Sequence, residues 1–190
     1  MELEEAIKKR KSVRNFSVKK PSWRDIIQAI DYARFAPMAG NIYSVKFIFV
    51  SDREKIDKIA EACQQEFVGK VHYLVVVVSD RENVKKNYDF YDKQFGAQQS
   101  GAAIQNFLLG ITEKGLSTCW VGFFVEDQIK RTLSIPEKMC VEAVFPIGIE
   151  HQFMKGRSKT KIDLDSILFF NKYGKKNLDS DDTKPSFDNS

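Results

Sequence analysis

Two basic clusters lie far apart in the chain, and both carry residue types that bind phosphate. Arg10, Lys11, Ser12 and Arg14 supply two guanidinium forks, an ammonium and a hydroxyl in one short stretch, a donor set that can converge on a phosphate dianion. The same stretch lies just past a helical segment, and its local pattern alone favours the plainer reading of a solvated basic helix end. Lys155, Arg157, Lys159 and Lys161 form the second cluster. Pro37, Met38, Ala39, Gly40 and Asn41 make a turn in which small residues let backbone approach a ligand and an asparagine amide can donate and accept; taken singly, such a run is also an ordinary turn. Gln99 and Gln105 flank the small face Gly101, Ala102 and Ala103, which suits tight helix packing as well as ligand contact. Trp120, Val121 and Gly122 read as strand core.

Other chemistries find no support. The chain holds no glycine-rich phosphate loop of either common kind, and no serine or cysteine has a histidine partner in sequence. Cys63, Cys119 and Cys140 form no even disulfide framework, which fits a reducing compartment. His72 and His151 are the only histidines and sit at no ligand spacing from a cysteine, so no metal is expected. His72 opens a buried strand and reads as structural.

These residues need elements to hold them. Leu3 to Arg10 reads as a helix with acidic residues at its start and basic ones at its end, an order that suits the helix dipole. A second helix opens after Pro21, with Ser22 as N-cap and Asp25 completing a capping box, and stops near Ala36 because Pro37 disfavours helical geometry before it. Val45–Ser51 reads as a strand and Lys55–Cys63 as a helix. The unbroken apolar run within Val71–Ser79 marks a central strand covered on both faces. Asn87–Phe95 carries Tyr88, Phe90, Tyr91 and Phe95 among charges and reads as a partly exposed lid or interface piece. Gln98–Lys114 is the most helical stretch, with Gly101 and Gly110 allowing close packing and Gly115 at its C-terminus. Ser117–Phe124 and Cys140–Phe145 supply two more strands, the second leading into an apolar turn at Pro146–Ile149, with a short helix over Asp127–Leu133 between them. The irregular alternation predicts an α+β fold, a mixed central sheet flanked by helices.

Of the 190 residues, 43% are hydrophobic and 29% charged, enough for one sizeable core. We expect a single domain over residues 1–174 and a polar, disordered tail over 175–190. The net charge of +4 is too small an excess to indicate nucleic-acid binding. No apolar run approaches the roughly 20 residues of a spanning helix, and the charged start (Glu2, Glu4, Lys8, Lys9) predicts neither a secretory signal nor a membrane anchor. A cytoplasmic location is expected.

Taken in order, five segments resemble the FMN-dependent nitroreductase family: Arg10–Phe16, Ala36–Asn41, Gly101–Leu109, Gly115–Gly122, and the stretch from Pro146–Gly148 to Lys155–Lys159. Each is weak alone; their shared order and spacing over Glu5 to Tyr173 carry the resemblance. It implies a nitroreductase-like homodimer fold with one FMN in each of two sites between the subunits. By the resemblance, Arg10, Lys11, Ser12 and Arg14 would hold the flavin phosphate region with Arg157 and with Lys159 or Lys155. Pro37, Met38, Ala39 and Asn41 would reach the flavin from the partner, and Gln99, Trp120, Val121 and Gly122 would lie near its ring. Two departures stand out: Tyr43, Ser44 and Val45 occupy a place where many members carry glutamine-proline-tryptophan, and Met38 replaces a small polar residue. The aromatics between Val78 and Gly101 are expected to wall the substrate pocket.

The expected activity is transfer of hydride from NADH or NADPH through FMN to a small-molecule electron acceptor, a nitroaromatic, quinone or similar compound. No essential acid or base is named, since the flavin does the chemistry. Reductive dehalogenation or metabolite dehydrogenation on the same fold is the alternative reaction. A non-catalytic nucleotide-binding protein is the alternative of another class.

Overall fold

The structure is a computed structural model that describes residues 1–88, 91–151 and 162–177, without the side chains at 92 and 93. Every residue of strand β2 (Tyr73–Ser79) is buried. Tyr73, Val75 and Val77 enter one apolar cluster, while Leu74, Val76 and Val78 enter a second. Successive side chains of a strand point to opposite faces, so a strand covered on both must be apolar at every position. That is why Leu74–Val78 shows no alternation.

β1 (Val45–Val50) and β4 (Cys140–Gly148) flank β2, and β3 (Ser117–Thr118) lies outside β4, in the order β1-β2-β4-β3. All these pairings are antiparallel. The architecture is α+β as expected, and the parallel component of the expected mixed sheet reduces to one bridge between Ser12 and Thr118. Helices α2 (Trp23–Ala33) and α5 (Asp92–Glu113) cover one face, packing Ile26, Ala29, Ile104 and Phe107 against Val75, Val77 and Phe145. Helices α3 (Arg53–Cys63) and α6 (Glu126–Leu133) cover the other with Ile56, Ile59 and Ile129. α1 (Leu3–Lys9) and the short α4 (Arg81–Lys85) both lie against α5.

Several elements differ from the sequence reading. α5 begins at Asp92, so the last four residues of the expected Asn87–Phe95 lid are helix; Tyr91, at its N-cap, stacks on Phe95 at 5.3 Å, and Phe95 meets Tyr88 edge-on at 5.2 Å. α2 stops at Ala33 and the chain turns before Pro37; Ser22 takes the N-cap position, but its side chain makes no capping hydrogen bond. The expected strand Ser117–Phe124 shrinks to two residues and an isolated bridge between Val121 and Val144. The expected turn at Pro146 is instead strand, because Ile147 pairs with Tyr73 on one side and Thr118 on the other. His72 lies just before β2 and is exposed, its Nε2 3.2 Å from the Val18 carbonyl oxygen.

The chain divides into two compact units, Met1–Arg157 and Ser158–Ser190. In the described part of the second, α7 (Leu164–Ile167) precedes a ring contact between Phe169 and Tyr173 at 4.7 Å. Residues 178–190 of the expected tail lie outside the described residues. No helix among the described residues is long and apolar enough to cross a membrane.

The two glycines expected to permit close packing on α5 behave differently. A Cβ on Gly110 would lie 2.9 Å from the Ala29 backbone and 2.7 Å from the Tyr32 ring, so its absence lets α2 approach α5, whereas a Cβ on Gly101 would meet nothing within 4 Å. Gly110→Ala should therefore cost about 1–3 kcal/mol of stability through overpacking. Gly101→Ala should not destabilise, since it adds helix propensity in open space. Urea unfolding of the two variants checks the contrast.

Candidate functional site

Beyond α1 the chain runs extended along the end of the sheet. Val13 is buried and its N–H donates to the Thr118 carbonyl at 2.9 Å, beside the parallel bridge from Ser12 to Thr118. With the side chain of Val13 turned into the core, the period of two sends Ser12 and Arg14 to the opposite side. The thiol of the buried Cys119, next to Thr118, lies 3.8 Å from the Trp120 carbonyl oxygen. Burial raises the pKa of that thiol, while the Arg14 charge and hydrogen bonds with Ser12 and Arg14 pull the other way.

Arg10 and Lys11 border an open cavity of about 500 Å³ with Ser117, Thr118 and Glu150. Lys11 faces a carboxylate there, its Nζ 2.8 Å from Glu150. The Thr118 hydroxyl is buried and has no hydrogen-bond partner among the described residues. An unsatisfied buried hydroxyl costs free energy unless a ligand or water meets it. The Arg10 guanidinium and this orphaned oxygen border the same cavity, the residue types a phosphate would require, while Arg14 borders a different one.

From Thr118 the chain leads to Trp120. Composition suggests core for this residue, yet Trp120 is 44% exposed, its ring resting edge-on against Phe145 at 5.7 Å. Val121 is buried and exchanges two backbone hydrogen bonds of 3.0 Å with Val144. Gly122 is exposed, and a Cβ there would meet nothing within 4 Å. A planar apolar surface and open backbone thus follow directly from the basic strip.

The Pro37–Asn41 turn lies elsewhere. Gly40 and Asn41 both take left-handed backbone, with φ of 57° and 58°, a region open to glycine and tolerated by asparagine. A Cβ on Gly40 would fall 2.7 Å from the Tyr88 hydroxyl, so the tyrosine ring sits directly on the turn. Gln99 is buried, accepts a hydrogen bond from the Ala39 N–H at 3.2 Å, and donates through Nε2 to the Ser44 hydroxyl. Pro37 and Asn41 are exposed, Met38 and Ala39 partly buried. The turn is thus fixed at Gln99, whereas the Arg10–Lys11 cavity is lined by Thr112, about 20 Å further along the axis of α5.

Arg157, Lys159 and Lys155 lie outside the described residues. The sequence reading also passed over a second cavity of about 660 Å³, in which Arg14 is joined by Gln65, Phe67, Lys70 and His151. The Arg14 guanidinium lies over the Phe67 ring at 5.9 Å, inside cation–π range. Gln65, Phe67 and Lys70 belong to a short 3-10 turn with no periodic signal, and only the adjacency of an aromatic and a lysine hints at them. Among the described residues no group of three His, Cys, Asp or Glu side chains is placed to hold a metal.

With this geometry in place, comparison with known proteins is decisive. The nitroreductase family model matches residues 7–71 and 63–149. The chain belongs to the nitroreductase family. A protein of Archaeoglobus fulgidus, named as a candidate NADH dehydrogenase/NAD(P)H nitroreductase, is 31% identical over 144 residues, covering 73% of this chain and 80% of its own. A solved nitroreductase family protein from Clostridium novyi is 30% identical, with a TM-score of 0.73 over 93% of this chain and 97% of that one. The NADPH:FMN oxidoreductase of Vibrio harveyi, solved in complex with NAD+, shares the fold at 22% identity and a TM-score of 0.77, over 93% of this chain and 80% of that one. Membership makes the protein an oxidoreductase of the nitroreductase type.

The thiols give a direct check on the Ser12–Thr118 docking. Burial pushes the Cys63 thiol up to about 12 and raises Cys119 as well, and the thiolate is the reactive form. At pH 8 a thiol-specific chromogenic disulfide should label Cys140 first in the native protein, and Cys63 and Cys119 only on unfolding. Rapid native labelling of Cys119 would mean that the Ser12–Arg14 segment does not hold its place over Thr118.

Proposed function

We propose that the protein is an FMN-dependent oxidoreductase that uses NADH or NADPH to reduce a nitroaromatic, quinone or similar small acceptor. The observation that carries the reading is the basic strip Arg10–Arg14 docked on Thr118, next to the exposed Trp120 ring and open Gly122. Phosphate-type donors stand at one end of this path and a planar surface at the other, as a mononucleotide with a ring system requires. The family and the likeness to an NADPH:FMN oxidoreductase support the choice of flavin. When bound, FMN supplies the redox chemistry, taking hydride from the nicotinamide and passing electrons to the acceptor.

The residues of the chain bind and orient. Arg10, Ser12 and Arg14 hold the phosphate, with the Thr118 hydroxyl as an added partner. Lys11 borders the same cavity as Arg10, with its charge already paired to Glu150. Arg157 with Lys159 or Lys155 is assigned to the same phosphate on the resemblance. Trp120, Val121 and Gly122 form the surface beside the ring, and Phe67 and Lys70 border the entry past Arg14.

The Met38–Asn41 turn and the basic strip sit too far apart on one chain for both to touch the same compact ligand. A second copy resolves this, and we propose a homodimer in which the turn of one subunit completes the site of the other. Exposed apolar side chains support the pairing: Leu3 and Ile7 on α1, Trp23 and Ile27 on α2, Phe35 after it, and Phe123. Three free cysteines fit a reducing compartment, and we place the enzyme in the cytoplasm.

The visible absorbance of the purified protein tests the cofactor. Flavin bands, with FMN released on denaturation, are expected. A colourless protein that takes up no added FMN overturns the reading. NAD(P)H oxidation coupled to a nitroaromatic or quinone should vanish when flavin is stripped and return with added FMN. Arg14→Ala should weaken FMN binding about tenfold or more, as expected for a lost charge-assisted hydrogen bond. An unchanged dissociation constant removes Arg14 from the phosphate set.

A further inference from the structure

We infer that Gln99 is a positioning residue for the proposed flavin site, acting through the Met38–Asn41 turn rather than on the flavin itself, with Ser44 as its partner. This rests on the FMN reading above. Gln99 is buried, and both ends of its amide are engaged: Oε1 accepts from the Ala39 N–H at 3.2 Å, and Nε2 donates to the Ser44 hydroxyl. An amide with both ends committed inside the protein has little left to offer a ligand. It can, however, set the orientation of the one backbone N–H it holds.

The residues around it show what that orientation controls. The turn contains two consecutive left-handed residues, Gly40 and Asn41, a combination that free chain seldom keeps. Local hydrogen bonds from Asn41 N–H to Met38 and from Ile42 N–H to Ala39, both 3.1 Å, close it but do not orient it against the rest of the subunit. Gln99 does so from α5, and the Tyr88 ring presses on Gly40 from the other side. Ser44 keeps the glutamine from rotating. Ser44 is in turn fixed, since its carbonyl accepts from the Asp80 N–H at 2.9 Å where β2 ends. The clamp therefore ties the turn to α5 and to the sheet at once.

The test uses the full-length flavoprotein and three variants. Gln99→Leu removes both hydrogen bonds at similar volume, Ser44→Ala removes only the support of the amide, and Gly110→Ala is a packing control remote from the turn. FMN dissociation constants, the visible spectrum of the bound flavin and backbone amide exchange of residues 38–42 are measured on each. Gln99→Leu should weaken FMN binding about tenfold, as for one or two buried hydrogen bonds, shift the bound-flavin spectrum and speed exchange at Ala39. Ser44→Ala should do the same to a smaller degree, and the double variant should be no worse than Gln99→Leu, because one interaction serves the other. Gly110→Ala should lower stability without moving the spectrum. Wild-type binding and spectrum in Gln99→Leu, or in Ser44→Ala should the leucine variant fail to fold, overturn the inference while leaving the FMN reading intact. A wild-type protein that takes up no FMN overturns both, and exchange at Ala39 still reports whether the clamp exists.

Discussion

Removal of one strand from water on both faces governs this structure. β2 presents apolar side chains in two directions, and neither set can be left exposed without losing the main driving force for folding. Two helical layers are the consequence. α2 is amphipathic toward one face and α3 and α6 toward the other, whereas α5, packed by α1, α2, α4 and the sheet, carries apolar residues around more of its circumference. The bulge in the β2–β4 pairing between Val77 and Val78 is accommodated in the same frame, and it leaves Glu142 to pair with Arg81 at 3.1 Å.

The residues proposed for the flavin site occupy the places this frame leaves over. The basic strip docks beside β3 at the edge of the sheet, and the exposed tryptophan follows where the ladder is interrupted between Thr118 and the Val121–Val144 bridge. The turn at Met38–Asn41 fills the gap between the end of α2 and the start of β1. None of these positions lies at the centre of a core. Each is fixed by backbone hydrogen bonds or by a single buried side chain, so the site can carry polar and open surface without weakening the two apolar clusters.

What was legible in the sequence follows the same division. Leu74–Val78 announced a doubly covered strand because burial leaves a continuous apolar run, α3 was visible through its periodicity, and α6 was read as a short helix between two strands. The basic strip and the turn were legible as candidates by residue type. Trp120 was misread as core because a large apolar side chain looks the same in sequence whether it packs against Phe145 or offers half its surface to solvent. Gly101 and Gly110 are identical in type, and only the position of Ala29 and Tyr32 separates them. Gln65, Phe67 and Lys70 join Arg14 by a crossing of chain segments that no spacing encodes, and Ser44 meets Gln99 across 55 residues.

The pair of left-handed residues at Gly40 and Asn41 also bears on the kinetics of association. A loop that had to acquire such backbone on meeting a ligand would lose conformational freedom at that moment and slow the encounter. Here the shape is already held by Gln99 and Tyr88. For the flavin proposed above, meeting this edge would carry no such ordering cost.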